Sequence, residues 1–302
     1  YLDAAGNFQH PWEDTLPVFL EDLQAAPEHV TRKIRVSRGV YRLAERVEDR
    51  RRAQLARERF EREFRNDRFL SLPLDDYQRD GMLHLAFTGR AMLTDEMGLG
   101  KTVQAIAAAK VMRELYGIQR VLVICPASLK AEWEEQIRKF TSLSCRVVFG
   151  LRPRRVRQYR TGSEFVFVTN YEQIIRDEKE INECLQPDLI VLDEAQRIKN
   201  WKTKTAQAIK RLQSRYAFVL TGTPLENRID EIYSLVEFVD DQLLGSLFRF
   251  NREFYSFDAN GKATGMKNLR RLHERLRPIM LRRRKNEIEE QLPERVDNNY
   301  FV

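Results

Sequence analysis

The chain has 302 residues, enough to bury a sizeable core as one large domain or two modest ones, so folding needs no staples. Lysine and arginine number 52 against 45 aspartates and glutamates, and the net charge of +7 tilts the chain mildly toward a polyanionic partner. Cys125, Cys145 and Cys184 lie far apart with no CxxC pair, which speaks against a zinc site and a disulfide framework and for a reducing interior.

No apolar run approaches the ~20 residues that cross a bilayer, and the N-terminus lacks the charged-then-apolar layout of a signal peptide, so no membrane association is expected. The start at Tyr1 and the extended-looking end NNYFV read as a piece of a longer polypeptide.

Residues 1–70 form an N-terminal extension. Its segment YRLAERVEDRRRAQLARERFEREFRNDRFL carries Leu43, Val47, Leu55, Phe60 and Phe64 at roughly helical spacing, with opposite charges three or four positions apart. Two readings stay open: a long solvated helix docking by one narrow stripe, or a basic arm gripping DNA. The glutamates nearly cancel the arginines, which favours the first.

Residues 71–227 alternate apolar runs with amphipathic segments, the pattern of an α/β fold built on a mostly parallel sheet. RAMLTD, RVLVIC, CRVVFG, EFVFVTN, DLIVLDE and RYAFVLTG read as buried strands. TVQAIAAAKVMREL, AEWEEQIRKF and KTAQAIKRL read as helices between them.

In chain order, the first chemical signal is LPLDDYQRDGM, where the Gln78 amide could both donate to and accept from an adenine edge. Next comes MLTDEMGLGKT at residues 92–102, a strand, a tight loop and a helix start. Phosphate binding needs backbone N–H groups turned to the anion, glycines where a side chain would block it, a helix N-terminus and a lysine. Asp95, Glu96, Met97, Gly98, Leu99, Gly100, Lys101 and Thr102 make up that loop, with the Thr102 hydroxyl a ligand for Mg2+. The generic GxxxxGK[ST] pattern opens on glycine, and Asp95 departs from it.

LIVLDEAQ at residues 189–196 ends a buried strand in paired carboxylates. In a nucleotide hydrolase one such group holds the hydrated metal and the other orients and deprotonates the attacking water, so Asp193 is assigned to Mg2+ and Glu194 to water. VLTGTP at residues 219–224 contributes Thr221 and Thr223, hydroxyls suited to relaying the state of the phosphate site. After Pro224 the strands are expected to cease, and residues 228–302 read as a helical protrusion and a C-terminal segment with the basic run LRRRK.

DEMGLGKT, ICPASLKAEW, VTNYE, LDEAQRIKN, LTGTPLEN and PIMLRRRKNEI, in this order, resemble the successive motifs of the SWI/SNF-type branch of superfamily 2 helicase-like ATPases. The resemblance runs from about residue 72 to the C-terminus. Asp95 then ceases to be a departure, because this branch writes its phosphate loop as DEMGLGKT. What the resemblance implies is a RecA-like lobe, a parallel sheet with flanking helices, that binds ATP and Mg2+ with Gln78 near the adenine.

It further implies translocation along double-stranded DNA inside the cell. The DNA-facing positions would be Ser128 and Lys130, then Thr169, Asn170 and Tyr171, then Arg197, Lys199 and Asn200. Hydroxyls, amides and cations contact phosphate and sugar without reading base edges. Trp133 is expected in the core. Gln196 stands where most relatives have histidine, which bears on coupling between ATP and DNA.

No segment resembles the second RecA-like lobe of such motors, where the arginines that stabilise transferred phosphate reside. The chain alone is therefore expected to bind ATP weakly and hydrolyse it poorly. Two other readings remain: a non-catalytic nucleotide- or DNA-binding module, and an RNA helicase of the same superfamily. Intact Lys101, Asp193 and Glu194 argue against the former, and RIKN and LRRRK against the latter.

Overall fold

Short, wholly apolar runs separated by amphipathic segments are satisfied by a parallel sheet covered on both faces. The computed structural model describes residues 11–27, 29, 34–64, 70–222, 229–258 and 263–288. The chain divides into two compact units, Tyr1–Glu63 and Phe64–Val302.

In the first unit, helices α1 (Trp12–Ala25) and α2 (Arg38–Glu63) share a small core of Leu16, Leu20 and Ala44, with Val36, Val40 and Tyr41 packed against it. Leu43 and Leu55 face outward, while Ala44, Val47, Ala56 and Phe60 are buried. The buried stripe therefore sits about one position away from the one the leucines suggest, with alanines in it. The charge pattern is realised as Arg57–Glu61 at 3.5 Å and Arg59–Glu63 at 2.9 Å. Exposed pairs of this kind contribute only about 0.3–0.5 kcal/mol each.

The second unit begins with α3 (Asp76–Thr88) and continues through β1 (Arg90–Leu93), α4 (Lys101–Tyr116), β2 (Val121–Cys125), α5 (Lys130–Phe140) and β3 (Cys145–Val147). It goes on with α6 (Arg152–Thr161), β4 (Val166–Asn170), α7 (Tyr171–Glu180), β5 (Leu189–Leu192), α8 (Lys204–Lys210) and β6 (Tyr216–Leu220). All six strands are those read from the sequence. They pair in parallel in the order β3-β4-β2-β5-β6-β1, and β2, β4 and β5 are buried at every residue. Leu122, Ile124, Phe167, Ile190, Leu192 and Val219 lie in the main core.

Past residue 228 the expectation of helices alone is corrected. Helices α9 (Ile229–Val239), α10 (Leu247–Phe254) and α11 (Leu269–Leu276) are present, but β7 (Tyr255–Phe257) and β8 (Ala263–Met266) pair antiparallel. A further strand, β9 (Met280–Leu281), joins the main sheet beside β1 as its seventh member. The Leu- and Arg-rich text around it suits a helix. Pro278 ends one there, because it has no N–H with which to continue the hydrogen-bond ladder of α11. The chain released after Leu276 pairs with the edge of β1, the Met92 N–H donating to the Ile279 carbonyl at 2.7 Å and the Thr94 N–H to that of Leu281 at 2.8 Å.

Helices α6 and α7 are tied by a buried ion pair. Arg155 donates to both Asp177 carboxylate oxygens at 2.6 and 2.7 Å and to the Gly150 carbonyl at 2.8 Å. Removing one partner strands the other charge in the interior. We predict that Arg155→Met lowers the unfolding free energy by about 3–5 kcal/mol in denaturant titration, and that adding Asp177→Asn recovers part of it. A loss below about 1 kcal/mol would contradict this reading of the pair.

Candidate nucleotide site

In a parallel sheet every strand ends at the same edge, so the loops that follow the strands gather there. This edge collects residues 94–100 after β1, Ser128 and Lys130 after β2, Tyr171 after β4, Asp193 and Glu194 after β5, and Thr221 and Gly222 after β6. Because β5, β6 and β1 are neighbours in the sheet, the acidic pair and the lysine-bearing loop flank the end of β6.

Gly98 and Gly100 hold φ of +87° and +67°, the left-handed region that a Cβ strains. Gly100 precedes α4, whose first turn has no acidic residue, so the positive end of the helix is uncompensated. Lys101 is the first residue of α4 and is buried; its Nζ donates to the carbonyls of Asp95 at 2.9 Å and Glu96 at 3.1 Å. Burial pulls the Lys101 ammonium below its ordinary pKa, opposed by the charges of Glu194, Asp95, Asp193 and Glu96 in that order. A Cβ on Gly222 would stand 2.6 Å from Met97 Cγ and 3.1 Å from Lys101 Nζ, so the turn after β6 lies directly against the loop. Thr102 is half-buried one residue further on, Leu99 is buried, and Met97 is exposed.

Asp193 is buried and held on three sides. Its Oδ2 accepts from Trp133 Nε1 at 2.7 Å, its Oδ1 from the Glu194 N–H at 2.9 Å, and its carbonyl from the Tyr171 hydroxyl at 2.7 Å. Burial raises its pKa, the Trp133 hydrogen bond opposes that, and Glu194 adds to the rise while Lys101 counters it. Glu194 occupies the left-handed region at φ +49°, a conformation that costs a non-glycine residue about 1 kcal/mol or more and clusters at functional sites. Gln196 Nε2 donates to Glu194 Oε2 at 2.6 Å, and Thr221 Oγ1 donates to Gln196 Oε1 at 3.1 Å. Gln196 and Thr221 are thus joined to the acidic pair in one chain of hydrogen bonds; Thr223 lies outside the described residues.

Gln78 sits in the first turn of α3. Its Oε1 accepts from the Asp75 N–H at 3.2 Å and its Nε2 donates to the Tyr77 hydroxyl at 3.2 Å. A Cβ on Gly100 would come within 2.7 Å of that Nε2, which puts Gln78 beside the loop.

Residues 77–302 match the SNF2-related domain. The chain belongs to the SNF2-related family. Over 276 residues it is 32% identical to the TATA-binding protein-associated factor mot1 of Aspergillus fumigatus, covering 82% of this chain and 14% of that protein. It is 34% identical over 242 residues to the putative ATP-dependent helicase/translocase YwqA of Bacillus subtilis, covering 76% of this chain and 26% of that one. Of the solved structures, the Sulfolobus solfataricus SWI2/SNF2 ATPase core in complex with dsDNA aligns with a TM-score of 0.66 and 33% identity, over 74% of this chain and 48% of that one. The chain therefore spans about half of the solved core and 14% and 26% of these two curated relatives.

Within this SNF2-family lobe the eight positions read as DNA-facing divide into two sets. Lys130, Thr169, Asn170 and Tyr171 are buried, and Lys130 Nζ donates to the Val148 carbonyl at 2.5 Å and to Asn170 Oδ1 at 3.2 Å. Ser128, Arg197, Lys199 and Asn200 are exposed, Lys199 pairing with Glu231 at 3.1 Å. Two residues that hold the site escaped the sequence reading. Trp133 is in the core, as expected, but its indole N–H also steadies Asp193, and nothing in an amphipathic helix reveals that. The other is Arg283, whose side chain reaches Asp95 from 188 residues away in the sequence.

Trp133→Phe preserves most of the packing and deletes the donor to Asp193. Partners of this kind typically contribute about ten- to a hundred-fold in activity. We predict a fall of that order in ATP turnover of the intact protein with only a small change in melting temperature; unchanged turnover would deny Trp133 this part.

Proposed function

We propose that this chain is the first of two RecA-like lobes of an ATP-driven motor that moves along double-stranded DNA inside the cell. The observation that carries the reading is the convergence of Lys101, Gly222, Asp193 and Glu194 at one sheet edge. A nucleoside triphosphate would lay its phosphates over the loop, against the α4 N-terminus, and Lys101 would exchange the Asp95 and Glu96 carbonyls for phosphate oxygens. Gln78 would stand toward the adenine.

Among the described residues no three His, Cys, Asp or Glu side chains cluster as a metal cage. Mg2+ is ordinarily held by one or two carboxylates together with substrate phosphates. Asp193 and Thr102 would hold it, and when bound it neutralises charge on the phosphates. Glu194 orients a water and takes its proton as the oxygen attacks the terminal phosphorus, and ADP leaves. The Glu194–Gln196–Thr221 chain would carry the phosphate state to the end of β6.

Double-stranded DNA is the proposed track because the solved relative is described in complex with it, and because exposed Ser128, Arg197, Lys199 and Asn200 suit phosphate contacts. Buried Lys130 and Asn170 would brace that surface from beneath, tying the segments after β2 and β4. A second lobe would supply the arginines that stabilise transferred phosphate, worth ~10³ or more in rate in related enzymes. The chain by itself should then bind ATP weakly and turn it over poorly. No helix among the described residues is long and apolar enough to cross a membrane.

Two experiments on the intact protein test this reading. Glu194→Gln should cut turnover at least ~10²-fold while ATP binding stays within about three-fold, and wild-type turnover would remove Glu194 as the base. Duplex DNA should stimulate ATP hydrolysis more than single-stranded DNA or RNA. Stimulation by RNA alone would point to an RNA helicase, and no turnover with any of them to a binding module.

A further inference from the structure

We infer that Arg283 is a positioning residue for the phosphate loop, acting through Asp95; the inference rests on the ATP-binding reading above and extends it. The segment 279–288 runs alongside β1 and onward over the loop. After the Met92 and Thr94 hydrogen bonds, the Glu96 N–H donates to the Arg283 carbonyl at 3.0 Å, and the Lys285 N–H donates to Glu96 Oε2 at 2.9 Å. Ile288 closes the segment by packing with Tyr77 and with Leu99 of the loop.

The Arg283 guanidinium enters this arrangement from one side and joins three elements. Nε donates to Asp95 Oδ1 at 3.1 Å and Nη2 to Asp95 Oδ2 at 2.5 Å, the two-pronged geometry that arginine alone provides. Nη2 also donates to Gln104 Oε1 at 2.9 Å on α4, and Nη1 donates to the Tyr77 carbonyl on α3. The Asp95 side chain is wholly buried and that of Arg283 nearly so. Gln104 Nε2 closes the ring by donating to the Leu99 carbonyl at 2.8 Å.

A second feature shows that room has been made for this group. Gly81 lies inside α3, where glycine costs about 1 kcal/mol relative to alanine. A Cβ there would stand 1.7 Å from Gln104 Oε1 and 2.7 Å from Arg283 Nη2. The helix forgoes stability at a position that faces the Gln104 amide and the guanidinium together.

Together these contacts give Asp95 its purpose. In the generic phosphate loop a glycine stands first; here a carboxylate does, and it is the handle by which Arg283 sets the loop against α3 and α4. The same guanidinium fixes the turn that presents Gln78, so the adenine side and the phosphate side share one anchor. The Asp95 carbonyl is in turn a partner of Lys101 Nζ, so a shift at Asp95 moves the lysine's seat.

The test uses the intact protein with duplex DNA, measuring kcat and KM for ATP, equilibrium binding of a fluorescent ATP analogue with Mg2+, and the melting temperature. Arg283→Lys keeps the charge and loses the fork; Gly81→Ala favours the helix and crowds the seat. Each should raise the ATP KM and the analogue Kd about ten-fold or more, with kcat within about three-fold of wild type. Arg283→Gln combined with Asp95→Asn removes the stranded charge, and should restore the melting temperature while the KM stays raised.

KM recovering together with melting temperature in that double variant would reduce Arg283 to charge neutralisation and overturn the inference. So would a KM within two-fold of wild type in both Arg283→Lys and Gly81→Ala, which decide the matter if the double variant does not fold. Wild-type protein that fails to bind the analogue would overturn this inference and the ATP reading together. Normal wild-type binding with indifferent variants would overturn this inference alone.

Discussion

Lys101 and Glu194 follow strands that are not adjacent, and the turn that leaves the strand between them, β6, contains a residue with no side chain. Gly222 is the constraint on which the site depends: any Cβ there would press on Met97 and on the Lys101 ammonium. With that space open, a buried cation and two carboxylates share one desolvated corner. Burial weakens the charge of Lys101 and of Asp193, and each helps restore the other's. The corner is held in tension, with the lysine satisfied for the present by loop carbonyls and the aspartate by an indole and a backbone N–H. Polyanion and divalent cation would satisfy both better, which is the physical sense in which it is built for a nucleotide.

Around this corner the molecule spends conformational freedom in few places. Gly98 and Gly100 turn the loop, Glu194 accepts a left-handed backbone, and Gly81 weakens a helix to seat a guanidinium. Each of these departures from local preference falls at or next to the candidate site. Elsewhere in the second unit Gln186 and Asn268 also take left-handed backbone, while β2, β4 and β5 are buried at every residue.

The six strands, and the gathering of the residues at their ends, were legible because continuous apolar runs leave few alternatives to a buried parallel sheet, and because motif order maps onto one sheet edge. Strand β9 was not legible: two residues in an arginine-rich stretch have no periodicity of their own, and only the open edge of β1 gives them a partner. Leu43 and Leu55 misled for a different reason: the buried positions beside them are alanines, Ala44 and Ala56, which carry little hydrophobic signal, and Ala44 is the one that packs between α1 and α2. Trp133 and Arg283 were hidden because their role is a long-range hydrogen bond, a property of the fold and not of spacing. Lys130, Thr169, Asn170 and Tyr171 look like surface chemistry in the text, yet their polar groups are occupied in the interior.

The most direct measurement of the central claim is a structure of the protein with Mg2+ and a non-hydrolysable ATP analogue. The account predicts Lys101 Nζ released from the Asp95 and Glu96 carbonyls and bound to terminal phosphate oxygens, with Asp193 toward the ion and Glu194 toward the phosphorus. A nucleotide seated elsewhere, or one bound while Lys101 keeps its carbonyl partners, would contradict it.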